Sequence, residues 1–294
     1  MGALEGRVAA ITGAGRGIGR EHALLFASEG AKVVVNDLGG AGDGTGSDTS
    51  AAQAVVDEIT AAGGEAVANT EDISTWAGAE SLVAQAVDAY GQLDVLVNNA
   101  GILRDAFLAS MTEEQWDAVI QVHMKGHFCC MRHAAGHWKE RSKAGEEVKA
   151  SLINTASASG TYLPNAGQVN YGAAKAAIAA MTLVAAQELA RYGVRANALA
   201  PAARTRLTED VPVIGEMMKP PEDPEAFDPF DPKHVSPLVA YLATEDCPVT
   251  GKLFAVQGGM IAECSNWAVG ESVTADEPWT LDLVTEKLGA AAVA

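Results

Sequence analysis

The sequence predicts a single α/β domain, doubly wound around a seven-stranded parallel sheet, and three observations carry that prediction. Short apolar runs rich in valine alternate with longer amphipathic stretches through most of the 294 residues, the rhythm of βαβ units. A glycine-rich segment at residues 12–19, TGAGRGIG, follows the first of these runs and opens a helical stretch. The length suits one large core, and no linker marks a second domain.

Strands are expected at residues 8–11, 32–36, 66–69, 93–97, 151–154, 194–199 and 253–256, with helices between them. The fourth helix opens with Thr112 and Gln115, a capping-box pattern, and places Trp116, Val119 and Ile120 on one face. The rhythm breaks over residues 209–232, which hold six of the chain's eleven prolines and so form neither a continuous helix nor a central strand. Val211, Val213, Ile214, Met217, Met218, Phe227 and Phe230 make this stretch too apolar for a solvated linker. A lid over residues 204–232 is the expectation, and an ordered surface excursion the alternative. Residues 139–149 form a charged, solvated insertion. The main domain is therefore drawn at residues 1–261. Residues 262–294, with Trp267, Trp279, Leu281, Leu283, Val284 and Leu288, form a C-terminal extension and a candidate intersubunit arm.

Charge narrows the classes of function. Twenty basic residues against 38 acidic ones give a formal charge of -18, which argues against nucleic acid or an anionic membrane as partner. Much of the excess is local: residues 209–232 carry eight acids against Lys219, and residues 262–294 six against Lys287. Cys129, Cys130, Cys247 and Cys264 lack the paired spacing of a zinc site, so no metal is expected. The glycine-rich segment begins at Thr12, leaving no room for a secretory signal. No uninterrupted apolar run approaches the roughly 20 residues that span a bilayer, and a cytoplasmic location is expected.

Glycines between a strand and a helix let backbone approach a pyrophosphate, which the amides and positive end of the helix then meet. Asp37 at the end of the second strand lies eighteen residues beyond Gly19, where an acid accepts from the adenosine ribose hydroxyls. A carboxylate there repels a 2′-phosphate, so NAD is expected over NADP. Arg16 counts the other way, because a nearby guanidinium attracts phosphate. Downstream, Ser157 precedes Tyr171 and Lys175, and the last two are spaced to share one helix face. A phenol is a poor base at its ordinary pKa of about 10, and the lysine charge, with that of the oxidised nicotinamide of NAD, is expected to lower it. The three groups can move a proton while a bound cofactor moves a hydride.

Residues 12–19, Asp72, the NNAG run at 98–101, Ser157, Tyr171 with Lys175, and Pro201 stand in the order of the short-chain dehydrogenase/reductase family, which the chain resembles over about residues 5–260. The resemblance implies a Rossmann-type domain, a nicotinamide cofactor and a homotetramer or homodimer. It gives catalytic roles to Ser157, Tyr171 and Lys175. It gives cofactor contacts to Gly13, Arg16, Ile18, Asp37, Asp72, Ile73, Asn99, Ala100, Gly101, Tyr171, Lys175, Pro201 and Thr205. Residues 35–40, 98–105, 122–126 and 157–160 are most similar to the branch of dehydrogenases that oxidises (3R)-hydroxyacyl-CoA thioesters and some hydroxysteroids.

Two departures stand out. Ser157 precedes Tyr171 by fourteen residues, one more than is usual in the family, leaving Ser159 as reserve for the serine role. His123 stands where most members carry a catalytic asparagine, and a packed structural role is expected for it. The implied activity is NAD-dependent hydride transfer at a secondary alcohol or ketone of a lipid-like substrate, a 3-hydroxyacyl-CoA or a hydroxysteroid. Arg104, Lys125, Arg204 and Arg206 are the candidate partners for a CoA head group. The alternatives are a 3-oxoacyl thioester reductase and, from another class, a catalytically inactive nucleotide-sensing protein.

Overall fold

A computed structural model describes residues 2–209, 214–223, 225–265 and 267–291. Of the expected lid, Val211, Pro212, Val213 and Pro224 lie outside the described residues. The chain divides into two compact units, Met1–Cys264 and Ser265–Ala294.

The first unit begins with β1 (Val8–Thr12), α1 (Gly17–Ser28), β2 (Lys32–Asn36), α2 (Ser50–Ala61) and β3 (Glu65–Asn69). It continues through α3 (Trp76–Tyr90), β4 (Val95–Asn98), α4 (Glu113–Val119), a π-helical turn (Ile120–Lys125) and α5 (Gly126–Lys143). Then come β5 (Ala150–Thr155), α6 (Val169–Leu189), β6 (Val194–Pro201), and two short helices, α7 (Arg206–Glu209) and α8 (Ile214–Met217). Helix α9 (Ser236–Ala243), β7 (Leu253–Gln257) and β8 (Met260–Glu263) complete it, and α10 (Leu281–Ala291) lies in the second unit.

The strands stand in the order β3-β2-β1-β4-β5-β6-β7-β8. The seven expected strands pair in parallel, and an eighth corrects the count: β8 runs antiparallel to β7, with Gln257 opposite Met260. Gly258 and Gly259 form the two-residue hairpin, Gly258 at φ +50°. All four residues of β8 are exposed, so it carries none of the alternation by which a half-buried strand shows in a sequence.

Strands β1, β4 and β5 are buried along their whole length, which is why they read as unbroken apolar runs. On one face Ala9, Ile11, Val33 and Val35 pack with Phe26 of α1 and with Leu238 and Val239 of α9. On the other, Val8, Ala10, Val34, Leu96 and Leu152 pack with Leu82 of α3 and with Cys130 and Trp138 of α5. Helix α6 and the turn after it are apolar enough, at mean hydropathy 1.3, to match a membrane span by composition. In the fold this is the apolarity of a core helix, with Ala174, Ile178, Ala185 and Leu189 buried.

The capping box of α4 forms, Thr112 and Gln115 each serving the other's backbone N–H. The helical periodicity then changes at Ile120, where the π turn begins. This turn brings His123 into the interior with Val119, while Trp116 stays 39% exposed. Strand order reverses between β1 and β4, so the crevice at their carboxyl ends is where a doubly wound sheet binds ligands.

Candidate active site

The crevice is built by contact between the loops after β1 and β4. Gly13 has φ +63°, and a Cβ on it would stand 2.7 Å from Ala100 Cα. A Cβ on Gly19 would stand 2.2 Å from the Gly13 carbonyl oxygen, so neither position admits a side chain. Thr12 Oγ1 accepts the N–H groups of Asn99 (3.0 Å) and Ala100 (3.1 Å). Asn99 returns the contact, its Nδ2 donating to the carbonyls of Thr12 (3.2 Å) and Gly13 (3.1 Å). Its side chain thus staples the two loops together.

Helix α1 starts after Arg16 with no side-chain cap and no acid in its first turn, leaving its leading amides to an anion. Thr205 lies above Gly17, its Cγ2 3.4 Å from where a Cβ would be. At the other end of the crevice Asp37 accepts from Gly15 N–H (2.8 Å) and Gly39 N–H (2.7 Å). Asp72 accepts from Ser74 N–H at 2.9 Å, Ile18 is partly buried against the core, and Pro201 ends β6. Ile73 is buried in the core, its Cδ1 2.7 Å from a Cβ built on Gly126. A side-chain-free cradle at a helix N-terminus, closed by a carboxylate, fits a dinucleotide.

Lys175 is 2% exposed on α6 and donates from Nζ to the Thr155 carbonyl at the end of β5 (2.6 Å). The same Nζ lies 5.6 Å from the Tyr171 ring centroid, one helical turn away. Ser157 leaves β5 in extended conformation, and its Oγ accepts from Ser159 N–H at 3.2 Å. Gly160 and Gly172 let this serine loop lie on α6. A Cβ on Gly160 would be 2.5 Å from Ala176 N, and one on Gly172 3.2 Å from the Ser159 carbonyl oxygen. Between Ser157 and Tyr171 the chain turns into α6 through Gly167, which has φ +91°. Ser159 directs its hydroxyl to Gln168 Oε1 (2.9 Å).

The sequence reading has Lys175 and the oxidised nicotinamide lower the phenol together; in the chain without cofactor burial dominates. Burial pushes the Tyr171 phenol above its ordinary pKa, with the Ser157 hydroxyl pulling down and the Asp105 carboxylate pushing up. It also pushes the Lys175 ammonium down to about 7. His123 Nε2 lies 3.0 Å from Ile102 N and 2.8 Å from Ile102 O, and its ring meets Tyr171 edge-on at 5.2 Å. Burial, reinforced by Lys175, holds this imidazole at about 3, so it is neutral at working pH. Gly101 makes room for it, since a Cβ there would stand 2.4 Å from His123 Cε1.

Several supporting residues escaped the sequence reading. Gln168 donates to Asp105 Oδ2 (2.8 Å) while accepting from Ser159. Asn170 donates to the carbonyls of Arg104 (2.9 Å) and Gln115 (3.1 Å). Asn98, already marked in the sequence by the NNAG run, donates to Asn154 Oδ1 (2.9 Å), and Asn154 to Thr182 Oγ1 (2.8 Å), joining β4, β5 and α6. For Asn154 the signal was an asparagine inside a strand, which disfavours it; Gln168 and Asn170 carried none. Of the basic candidates, Arg204 is bonded to Asp228 and to the Met218 carbonyl. Arg104 bonds the Asp43 carbonyl and Arg206 the Gly40 carbonyl.

A dinucleotide cradle that ends at a tyrosine with a buried lysine one turn on defines an oxidoreductase domain. The short chain dehydrogenase family matches residues 7–212, and the chain belongs to that family. It is 47% identical over 265 residues to the hydroxyacyl-CoA dehydrogenase ChsB1 of Mycobacterium tuberculosis, covering 88% of this chain and 79% of that one. It is 42% identical over 260 residues to peroxisomal multifunctional enzyme type 2 of Mus musculus, covering 88% of this chain and 33% of that one. A crystal structure of a short chain dehydrogenase from Mycobacterium avium shares 49% identity at TM-score 0.85, over 98% of this chain and 96% of that one.

Proposed function

We propose that this enzyme is an NAD-dependent 3-hydroxyacyl-CoA dehydrogenase. The observation that carries the chemistry is the Lys175 ammonium held 5.6 Å from the Tyr171 ring, at the floor of the crevice that Asp37 closes. A bound nicotinamide supplies the hydride acceptor for the carbinol C–H. The hydroxyl O–H breaks toward Tyr171 Oη, which takes the proton as general base, while Ser157 Oγ holds the substrate oxygen. Lys175 offsets the phenolate charge, and in reduction the same proton returns from Tyr171. Asp37 supports NAD, since a carboxylate at the end of the second strand would repel a 2′-phosphate.

The thioester class is supported by the relative named as a hydroxyacyl-CoA dehydrogenase. It is supported also by the apolar rim, where Phe107, Leu108, Tyr162 and Leu163 are exposed on the loops that flank the site. NADH formation over a panel of (3R)- and (3S)-hydroxyacyl-CoAs and 17β- and 3-hydroxysteroids tests the assignment. Turnover confined to steroids refutes the thioester reading.

The proposal includes a cytoplasmic homodimer or homotetramer. Its four cysteines are free, as a reducing compartment requires. A groove of about 880 Å³, lined by Ile120, Met124, Phe128, Ala177 and Met181 among others, offers an apolar face to a second copy. A monomeric mass by light scattering at micromolar concentration refutes the assembly.

A further inference from the structure

Arg16 poses a question that its position in the cradle does not answer. A guanidinium beside the adenosine ribose is the group that recruits a 2′-phosphate, yet Asp37 at the same corner calls for NAD. The structure places a second acid there. Arg16 Nη2 lies 3.2 Å from Asp48 Oδ2, and Asp48 is held by other bonds. Its Oδ1 accepts from Ser50 N–H (3.1 Å) and from the Ser50 hydroxyl. Its own N–H donates to the Leu38 carbonyl (3.2 Å). Gly39, at φ +78°, lies so close that a Cβ on it would stand 2.0 Å from the Asp48 carbonyl oxygen.

Asp48 is thus locked to the turn that begins at Asp37. It arrives there through a loop from the end of β2 to the start of α2, longer than the two to six residues usual between strand and helix. That loop is bonded to the site's other walls, with Gly42 accepting from Leu103 N–H at 2.9 Å and Asp43 accepting from Arg104 Nε at 2.8 Å. The Arg16–Asp48 pair is 38% and 49% exposed, and a pair that open adds little to stability. Its placement has another consequence.

We propose that Asp48 is a second cofactor-selecting residue: it engages the Arg16 guanidinium, so that Arg16 is not free to recruit a 2′-phosphate beside Asp37. The inference rests on the NAD reading above and explains how a chain with an arginine in its cradle keeps that preference.

The test is equilibrium binding of NADH and NADPH to the full chain by cofactor fluorescence, without substrate. Asp48→Asn is expected to lower the ratio of NADPH to NADH dissociation constants about tenfold, by freeing Arg16. Adding Arg16→Ala to Asp48→Asn is expected to restore most of that ratio. Asp48→Ser, which keeps an oxygen to accept from Ser50 N–H, gives the same reading if the asparagine variant does not fold. An unchanged ratio in the Asp48 variants overturns the proposal, as does a fall that persists without Arg16. The NAD reading fails separately, if the unaltered protein binds NADPH as tightly as NADH.

Discussion

Replacing Lys175 with methionine should make the protein more stable while removing its activity, and the sign depends on pH. The ammonium is held at about 7 against an ordinary 10.5 because it is buried. At about 1.4 kcal/mol per decade, the charged lysine costs the fold roughly 4–5 kcal/mol. The unfolded lysine stays protonated up to its ordinary pKa, so between about 7 and 10.5 the unfolded chain binds more protons and stability rises with pH. The cost is complete below the folded value and fades toward the unfolded one. Methionine removes it but leaves the Thr155 carbonyl without the 2.6 Å bond from Nζ, a loss of about 1–3 kcal/mol for a buried acceptor. The expected net gain is about 2 kcal/mol at pH 6, or about 4–8 °C in Tm for a domain of this size; it falls to zero between about pH 8 and 9.5 and becomes a loss of about 1–3 kcal/mol near pH 10, where only the missing hydrogen bond remains. Calorimetry of the cofactor-free protein at pH 6, 8 and 9.5 measures it. A variant destabilised at pH 6, or a difference in Tm independent of pH, refutes the reasoning.

Tyr171→Phe should lower kcat by at least about 10³-fold, within or beyond the range of general-base removal, and leave NADH affinity within about twofold; turnover near that of the unaltered enzyme rules out the phenol as base. Gly101→Ala drives a Cβ to 2.4 Å from His123 Cε1 and should cost about 1–3 kcal/mol in urea unfolding. Part of that loss should return in Gly101→Ala with His123→Ala, and additive losses in the pair would show that the two groups do not meet.

The legible part of this molecule is the part whose physics is local. Gly13, Gly19 and Asp37 announced the crevice because a tight turn, a close approach and a strand-end acid each leave their residue type in place. The parallel strands showed because burial on both faces forces continuous apolar runs. Strand β8 did not, since an exposed edge strand needs no such pattern. The inward turn of the Asn99 side chain depends on backbone 86 and 87 residues away, and nothing near Asn99 in the chain encodes that partner. The ionisation of Tyr171 and Lys175 in the cofactor-free chain is not legible for a related reason. Their spacing is local, but the burial that pushes both toward neutrality comes from the whole fold.

The two departures from the family pattern, the longer serine-to-tyrosine spacing and His123, converge on one segment. Residues 101–106 run from the cradle to the apolar rim and form a wall of the site. His123, on the π turn, fixes Ile102. Asn170 fixes Arg104 through its carbonyl, and Gln168 fixes Asp105. Gly167, in the turn before α6, accepts from Ala106 N–H at 2.9 Å. The turn before α6 thus clamps the far end of the wall, and the histidine clamps the near end. A clamp needs shape and one hydrogen bond rather than a titrating proton, and burial that holds the imidazole at about 3 keeps it a fixed neutral group across the range in which Tyr171 must change charge.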